Sequence, residues 1–211
     1  MKLYGYYRSS AAYRVRIALN LKGIEYESIA VNLLAGEDQS GDYRAINPQG
    51  LVPVLEVDGR RLAQSMAILE YLEETRPEPP LLPADPLDRA ELRALANIVA
   101  CDIHPLNNLR VLNYLKDELQ VKDEQRNAWY RHWIEQGFDA LETRLDALGS
   151  RDYCFSDRPG LADVLLVPQV YNARRFRVDM SRYPRIEQIE QHCLSLDAFA
   201  RAVPERQPDA P

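Results

Sequence analysis

Residues 8–16, Arg-Ser-Ser-Ala-Ala-Tyr-Arg-Val-Arg, put two hydroxyls directly ahead of a helix-like run. Ser9 and Ser10 have no cysteine, histidine or acid beside them that would turn a serine into a nucleophile. A hydroxyl in this position can still act by donating a hydrogen bond to an anion, and the free N–H groups that open a helix favour negative charge there. It can also simply cap the helix. If the anion is sulfur, the demand is large. Bringing a thiol pKa from about 8.5 down to about 6.5 requires about 2.7 kcal/mol of preferential stabilisation of the thiolate. The chain's own cysteines, Cys101, Cys154 and Cys193, are odd in number and scattered. They lack C-x-x-C or histidine spacing, so no metal is expected and they read as reduced thiols of a cytoplasmic protein. An essential sulfur would therefore come from outside the chain.

The elements that must position these residues fall on two sides of PEPPLLPADP (77–86), which holds five prolines. No helix or strand interior tolerates that density, so an extended linker is expected, with domains at 1–76 and 87–211. On the first side, KLYGYY (2–7) reads as a strand, RVRIALNLK (14–22) as a helix ending at Gly23, and YESIAVN (26–32) as a second strand. VPVLEVDGRRLAQ (52–64) reads as two strands around an Asp58-Gly59 hairpin, and SMAILEYLEETR (65–76) as a helix. Between them, 33–50 has room for a short helix. The order β-α-β, then β-β-α, describes a small α/β unit with a mixed sheet. On the second side, 88–119, 124–148, 161–176 and 186–203 carry helical patterning, so the fold class is α/β followed by all-α. Asp163, three residues after Gly160, reads as the acid of a capping box and a folding signal. Tyr6, Tyr7, Trp129 and Trp133 read as packing residues, and 204–211 as a frayed tail.

The 211 residues suffice for one large or two small domains. Hydrophobic residues at 46% and charged residues at 27% describe an ordinary globular chain. A net charge of -6 with no basic arm argues against nucleic acid. No apolar run reaches the length of a membrane span, and no secretory leader is expected at MKLYGYYR. The lack of a G-x-S-x-G elbow and of a credible triad argues against a serine hydrolase.

Four separated segments carry a family resemblance: RSSAAYRVRIALNLKGIEY (8–26), NPQGLVPVLEVDG (47–59), LAQSMAILEYLEE (62–74) and LADVLLVPQVYNARRF (161–176). With the two-part organisation, they resemble the zeta class of the glutathione transferase superfamily. That class includes maleylacetoacetate isomerases, with bacterial maleylpyruvate isomerases closely related. Where its signature has cysteine after the serine pair, this chain has Ala11, which leaves the role of that third position open.

The resemblance implies a thioredoxin-like first domain, a helical second domain, a homodimer and glutathione as cofactor. It implies cis–trans isomerisation of a dianionic maleyl substrate by reversible thiolate addition. The reaction is maleylacetoacetate to fumarylacetoacetate in aromatic amino acid breakdown, or the same chemistry on maleylpyruvate. A transferase that consumes glutathione on small halogenated acids, and a non-catalytic glutathione-binding protein, remain open alternatives. Ser9 is the expected main hydroxyl on the sulfur, with Ser10 second. Gln64 and Ser65, at a strand–helix junction, would take the γ-glutamyl carboxylate. Val52-Pro53 is similar to the family's cis-proline turn against the cysteinyl part, with Gln49 nearby. His104 and Asn108, spaced i, i+4 and so able to share one helical face, would give a polar contact to glutathione. Arg8 and Arg175, with Arg174 and Arg110 as further candidates, would bind substrate carboxylates through their planar forks.

Overall fold

The computed structural model describes residues 1–149 and 151–211. Contacts divide the chain into two compact units: Met1–Leu81 together with Leu194–Pro211, and Leu82–Cys193.

The first unit contains β1 (Lys2–Gly5), α1 (Ser10–Leu21), β2 (Glu27–Ala30), α2 (Gly41–Ile46), β3 (Val54–Val57), β4 (Arg60–Ala63) and α3 (Ser65–Thr75). Its sheet has the order β2-β1-β3-β4, with β1 parallel to β2 and the other two pairings antiparallel. The mixed α/β order read from the periodicity is therefore the one observed. Asp58 and Gly59 both have positive φ, 49° and 76°, as a two-residue hairpin matching the strand twist requires. Within 33–50, a 3-10 turn at Glu37–Gln39 leads into α2. The Ser40 hydroxyl caps α2 by accepting the Tyr43 N–H at 3.2 Å. Leu3, Leu55, Ile17, Ile68, Leu69 and Leu72 fill the core between sheet and helices.

The start of the proline-rich stretch is anchored to this unit by an ion pair. The Lys22 side chain is fully covered, and its ammonium donates to Glu73 Oε2 at 2.9 Å and to the Arg76 and Pro79 carbonyls at 2.7 and 3.0 Å. Glu73 Oε2 also accepts the Leu81 N–H at 2.9 Å. Lys22 thus satisfies the end of α3 and the first turn of the linker together. Removing one member of such a buried pair leaves the other uncompensated, so Lys22→Met is expected to cost about 3–5 kcal/mol, measured by denaturant unfolding.

The second unit holds α4 (Pro86–Asn97), α5 (Leu109–Asp117), α6 (Asp123–Ala147), α7 (Leu161–Arg175) and α8 (Pro184–Leu194). Asp85 caps α4 through the Leu87 and Asp88 amides. The helical pattern read across 88–119 is interrupted: a π-type turn spans Ile98–Ile103, and 104–107 form turns before α5. Pro105 explains the break, because it has no N–H to carry the helical hydrogen-bond ladder past His104, whose own backbone is still helical at φ -58° and ψ -43°. Gly137 of α6 lies so close to the π-type turn that a Cβ there would sit 2.3 Å from Ile103 side-chain carbons. Among the described residues, no helix is long and apolar enough to cross a membrane.

α7 is buried from Leu161 through Val170, and Asp163 anchors its start. Asp163 Oδ2 accepts the Gly160 N–H and Oδ1 accepts the Cys154 N–H, both at 2.8 Å. Burial raises the Asp163 pKa against the pull of these backbone donors. Asp163→Ala leaves two buried amides without acceptors, so a loss of about 3–4 kcal/mol is expected from chemical denaturation.

The helical pattern read across 186–203 also divides, at Ser195–Leu196, and the final short helix α9 (Asp197–Ala200) belongs to the first unit. There α9 packs against α1. The frayed tail expected at 204–211 is instead held in place. Pro204–Arg206 form a 3-10 turn, and the Asp209 carboxylate accepts the Tyr7 N–H at 2.8 Å. Together with α3, this return of the chain covers α1, which is buried from Ser10 to Leu19, and it supplies the Ala202 carbonyl that accepts from the buried Arg16.

Candidate functional site

In the first unit, the strand register gathers the expected glutathione residues at one end of the sheet. Tyr4 pairs with Val54, and Val54 with Ala63. The end of β1, the start of β3 and the end of β4 therefore lie side by side. From them extend the serine turn, Val52-Pro53 and Gln64-Ser65 respectively. The Val52-Pro53 peptide bond is cis.

Ser9 is the N-cap of α1, and its Oγ accepts the Ala12 N–H at 3.2 Å. Capping occupies an oxygen lone pair and leaves the hydroxyl hydrogen available as a donor. The capping and anion-binding readings of Ser9 are therefore compatible. Ser10 and Ala11 are buried in the first turn. Arg8 is half-buried, its guanidinium 5.7 Å from the centre of the Tyr7 ring. Tyr6 and Tyr7 pack edge to face at 4.6 Å.

At α3 no side chain caps the helix start; the N-cap position is Gln64. Gln64 has φ 72° and ψ 116°, a conformation that costs a non-glycine residue about 1–3 kcal/mol and concentrates at ligand sites. Its side-chain amide donates to Gln49 Oε1 at 2.8 Å, which joins two of the expected residues. Ser65 is buried, and its Oγ accepts from Arg14 Nη1 at 3.2 Å. Arg14, absent from the sequence-based site, thus ties the first turn of α3 to α1, whose N-terminus carries the serine pair. The uncapped amides of α3 suit a carboxylate, and the Ser9 hydroxyl suits a thiolate. This donor set fits a peptide thiol with a free carboxylate.

In the second unit the structure alters several expectations. His104 and Asn108 do not share a helical face: His104 closes the π-type turn, whereas Asn108 is the N-cap of α5. Asn108 Oδ1 accepts the Arg110 N–H at 3.1 Å, so its oxygen serves the helix end. Arg110 is exposed in that first turn. Arg174 does not offer an open fork to a ligand. It meets Glu190 at 2.5 Å and Glu187 at 3.1 Å, and the Glu190 carboxylate raises its pKa. Arg175, by contrast, contacts the Asn172 amide oxygen at 3.3 Å and lies 5.4 Å from the Phe176 ring centre.

A route of contacts that the sequence did not disclose joins the 104–108 segment to Arg175. The Leu106 carbonyl accepts from Trp129 Nε1 at 2.9 Å, and Asn107 Nδ2 donates to the Tyr130 carbonyl at 3.0 Å. Tyr130 stacks on Phe176 at 3.5 Å. Burial pushes the Tyr130 hydroxyl up to about 12, against the pull of Arg175. The signal for Tyr130 was weak, one aromatic between two tryptophans that read as packing.

The chain's buried thiols are poor thiolate candidates. Cys154 and Cys193 are pushed well up by burial and then by Asp163 nearby. Cys101 is exposed on the π-type turn.

Residues 1–74 match the glutathione S-transferase N-terminal domain, and residues 123–189 the glutathione S-transferase C-terminal domain. A probable maleylacetoacetate isomerase of Vibrio cholerae is 54% identical over 211 residues, covering 99% of this chain and 97% of that protein. The holo structure of a maleyl pyruvate isomerase, described as a bacterial zeta-class glutathione S-transferase, superposes with a TM-score of 0.98 at 50% identity, covering 100% of both chains. The maleylacetoacetate isomerase of Methylobacterium extorquens AM1, solved with bound malonate and glutathione, gives a TM-score of 0.96 at 46% identity, again covering 100% of both. With both domains matched and such identity sustained end to end, the chain belongs to the glutathione S-transferase family, within the zeta-class group of maleylacetoacetate and maleylpyruvate isomerases.

Proposed function

We propose that the protein is a glutathione-dependent cis–trans isomerase that converts maleylacetoacetate to fumarylacetoacetate. The observation that carries this reading is the capping geometry of Ser9, which commits its oxygen to the Ala12 amide and leaves its hydrogen to donate. When bound, glutathione supplies a nucleophilic sulfur that adds reversibly to the conjugated cis double bond and departs once that bond has turned. The Ser9 hydroxyl, with the opening amides of α1, stabilises negative charge on that sulfur before attack and after departure. Ser10 is the second hydroxyl of the turn.

The start of α3, with Gln64 and Ser65, takes the γ-glutamyl carboxylate, and the Val52 backbone takes the cysteinyl part, with Gln49 steadying Gln64. His104 is retained as a polar contact to glutathione, with Asn108 acting through its cap. Arg8 and Arg175 hold the substrate's carboxylates while the central bond rotates. A net-acidic chain needs such local positive charge to accept a dianion. The Methylobacterium relative, solved with both malonate and glutathione bound, supports a small dicarboxylate as the kind of substrate taken. The reading includes a homodimer acting in the cytoplasm.

Maleylpyruvate is the second reading, favoured by the holo zeta-class isomerase that superposes over the whole chain. Relative kcat/KM on the two substrates, with glutathione supplied, decides between them. The expected result is loss of the maleyl absorbance only with glutathione present and a higher kcat/KM for maleylacetoacetate. Equal turnover without glutathione, or none on either substrate, overturns the proposal.

A further inference from the structure

Only residues 6–9 separate β1 from α1, and none of them is in a helix or strand. Their backbone groups must therefore find partners outside a regular ladder, and wherever Tyr7 is fixed, Ser9 is fixed with it. Tyr7 is held on both sides by charged groups. Its N–H donates to Asp209 Oδ2 at 2.8 Å, and its carbonyl accepts from Arg16 Nη2 at 2.8 Å. Arg16 is only 3% exposed and donates through Nε to the Ala202 carbonyl at 3.1 Å. Ser9 itself donates its N–H to the Tyr6 carbonyl at 2.9 Å.

The returning segment that supplies Asp209 is tied down in turn. Asn20 of α1 donates to the Ala198 carbonyl at 2.9 Å, and Gln207 donates to the Val203 and Arg201 carbonyls at 2.8 and 3.0 Å. The two bonds that Asp209 and Arg16 make to the Tyr7 backbone are charge-assisted, and bonds of that kind are the stronger ones. A helix cap alone would need neither of them.

We propose that Asp209 and Arg16 are positioning residues for the serine turn, gripping Tyr7 by its two backbone polar groups and thereby aiming the Ser9 hydroxyl. The proposal rests on Ser9 acting on the glutathione sulfur. It assigns the returning segment, distant in sequence from the serines, a part in the chemistry.

The test compares Asp209→Ala and Asp209→Asn in the full chain, each also combined with Ser9→Ala. In the ligand-free protein, Asp209→Ala is expected to speed amide exchange at Tyr7 and Ser9 by about tenfold, with Asp209→Asn intermediate because it keeps a neutral acceptor. With glutathione bound, the ultraviolet absorbance of the thiolate followed against pH should show a raised thiol pKa. The kcat should fall by about five- to tenfold with KM little changed. In the Ser9→Ala background, Asp209→Ala should have no further effect on that pKa.

A thiol pKa raised by Ser9→Ala but untouched by Asp209→Ala overturns this inference and leaves the Ser9 reading intact. An unchanged pKa in Ser9→Ala overturns both. An equal loss of kcat from Asp209→Ala with and without Ser9 also overturns it, because the residue then acts elsewhere. Should Asp209→Ala fail to fold, an Asp209→Asn protein with wild-type exchange and thiol pKa overturns it.

Discussion

Ser9→Ala is expected to lower kcat/KM for the maleyl substrate by about a hundredfold, the usual effect of removing one preorganised donor from a developing charge. Two losses contribute, and they can be separated. The helix cap provided through Ala12 is worth about 1 kcal/mol of stability, read as a lowered denaturation midpoint. The hydrogen donated to sulfur appears instead in the pH profile, where the acid limb of kcat/KM moves to higher pH as the thiol becomes harder to ionise. Ser9→Thr retains both functions and should restore most of the activity. Ser10→Ala, in the buried first turn, should lose less than tenfold. A Ser9→Ala enzyme with a reduced midpoint but an unmoved pH profile would make Ser9 a cap and nothing more.

Arg175→Leu should be comparably damaging, by about a hundredfold in kcat/KM, expressed mainly through KM for the dianion. Its guanidinium touches an amide oxygen and a ring face, partners that leave its positive charge to attract a carboxylate. Arg175→Lys keeps the charge without the planar fork and should fall between. Two controls sharpen the expectation: the Kd for glutathione should not change, and turnover of an uncharged electrophile should be nearly unaffected. The neighbouring Arg174→Leu should behave differently. With Glu187 and Glu190 already matched to it, its loss should lower stability modestly and leave KM in place. If the two variants exchanged these phenotypes, the assignment of Arg175 would fail.

The contrast between these adjacent arginines shows where sequence reading ends. NARRF offers two guanidinium groups of identical chemistry. Only the packing of α8 reveals that one is occupied by carboxylates. The first unit was more legible because its signals are local. Asp58-Gly59 marks a hairpin through backbone preference, and apolar spacing marks α1 and α3. The register of the sheet then brings Ser9, Val52 and Gln64 to one end of it without any further instruction.

Long-range contacts were not legible in the same way. Arg14 and Arg16 lie two apart in α1, about 200° around the helix, so they cannot share one solvent face. That spacing in an apolar helix hints that one is buried. Their partners, Ser65 on α3 and Ala202 in the returning segment, are set by tertiary structure alone. The same cause hid the role of 204–211, whose polar composition resembles a loose tail until Asp209 is seen against Tyr7. At 104–108 the apolar period continued across a proline that the backbone could not follow, and the expected shared face of His104 and Asn108 was lost with it.

The idea that joins these findings is a sulfur lent to the enzyme and returned unchanged. The most direct measurement supplies glutathione far below the amount of maleylacetoacetate and follows both fumaryl product and free thiol to completion. The expected result is complete conversion with the initial thiol fully recovered, and no conversion when glutathione is omitted. Conversion that stops once it equals the glutathione added, with the thiol gone, would mean a conjugating transferase and would contradict the isomerase reading.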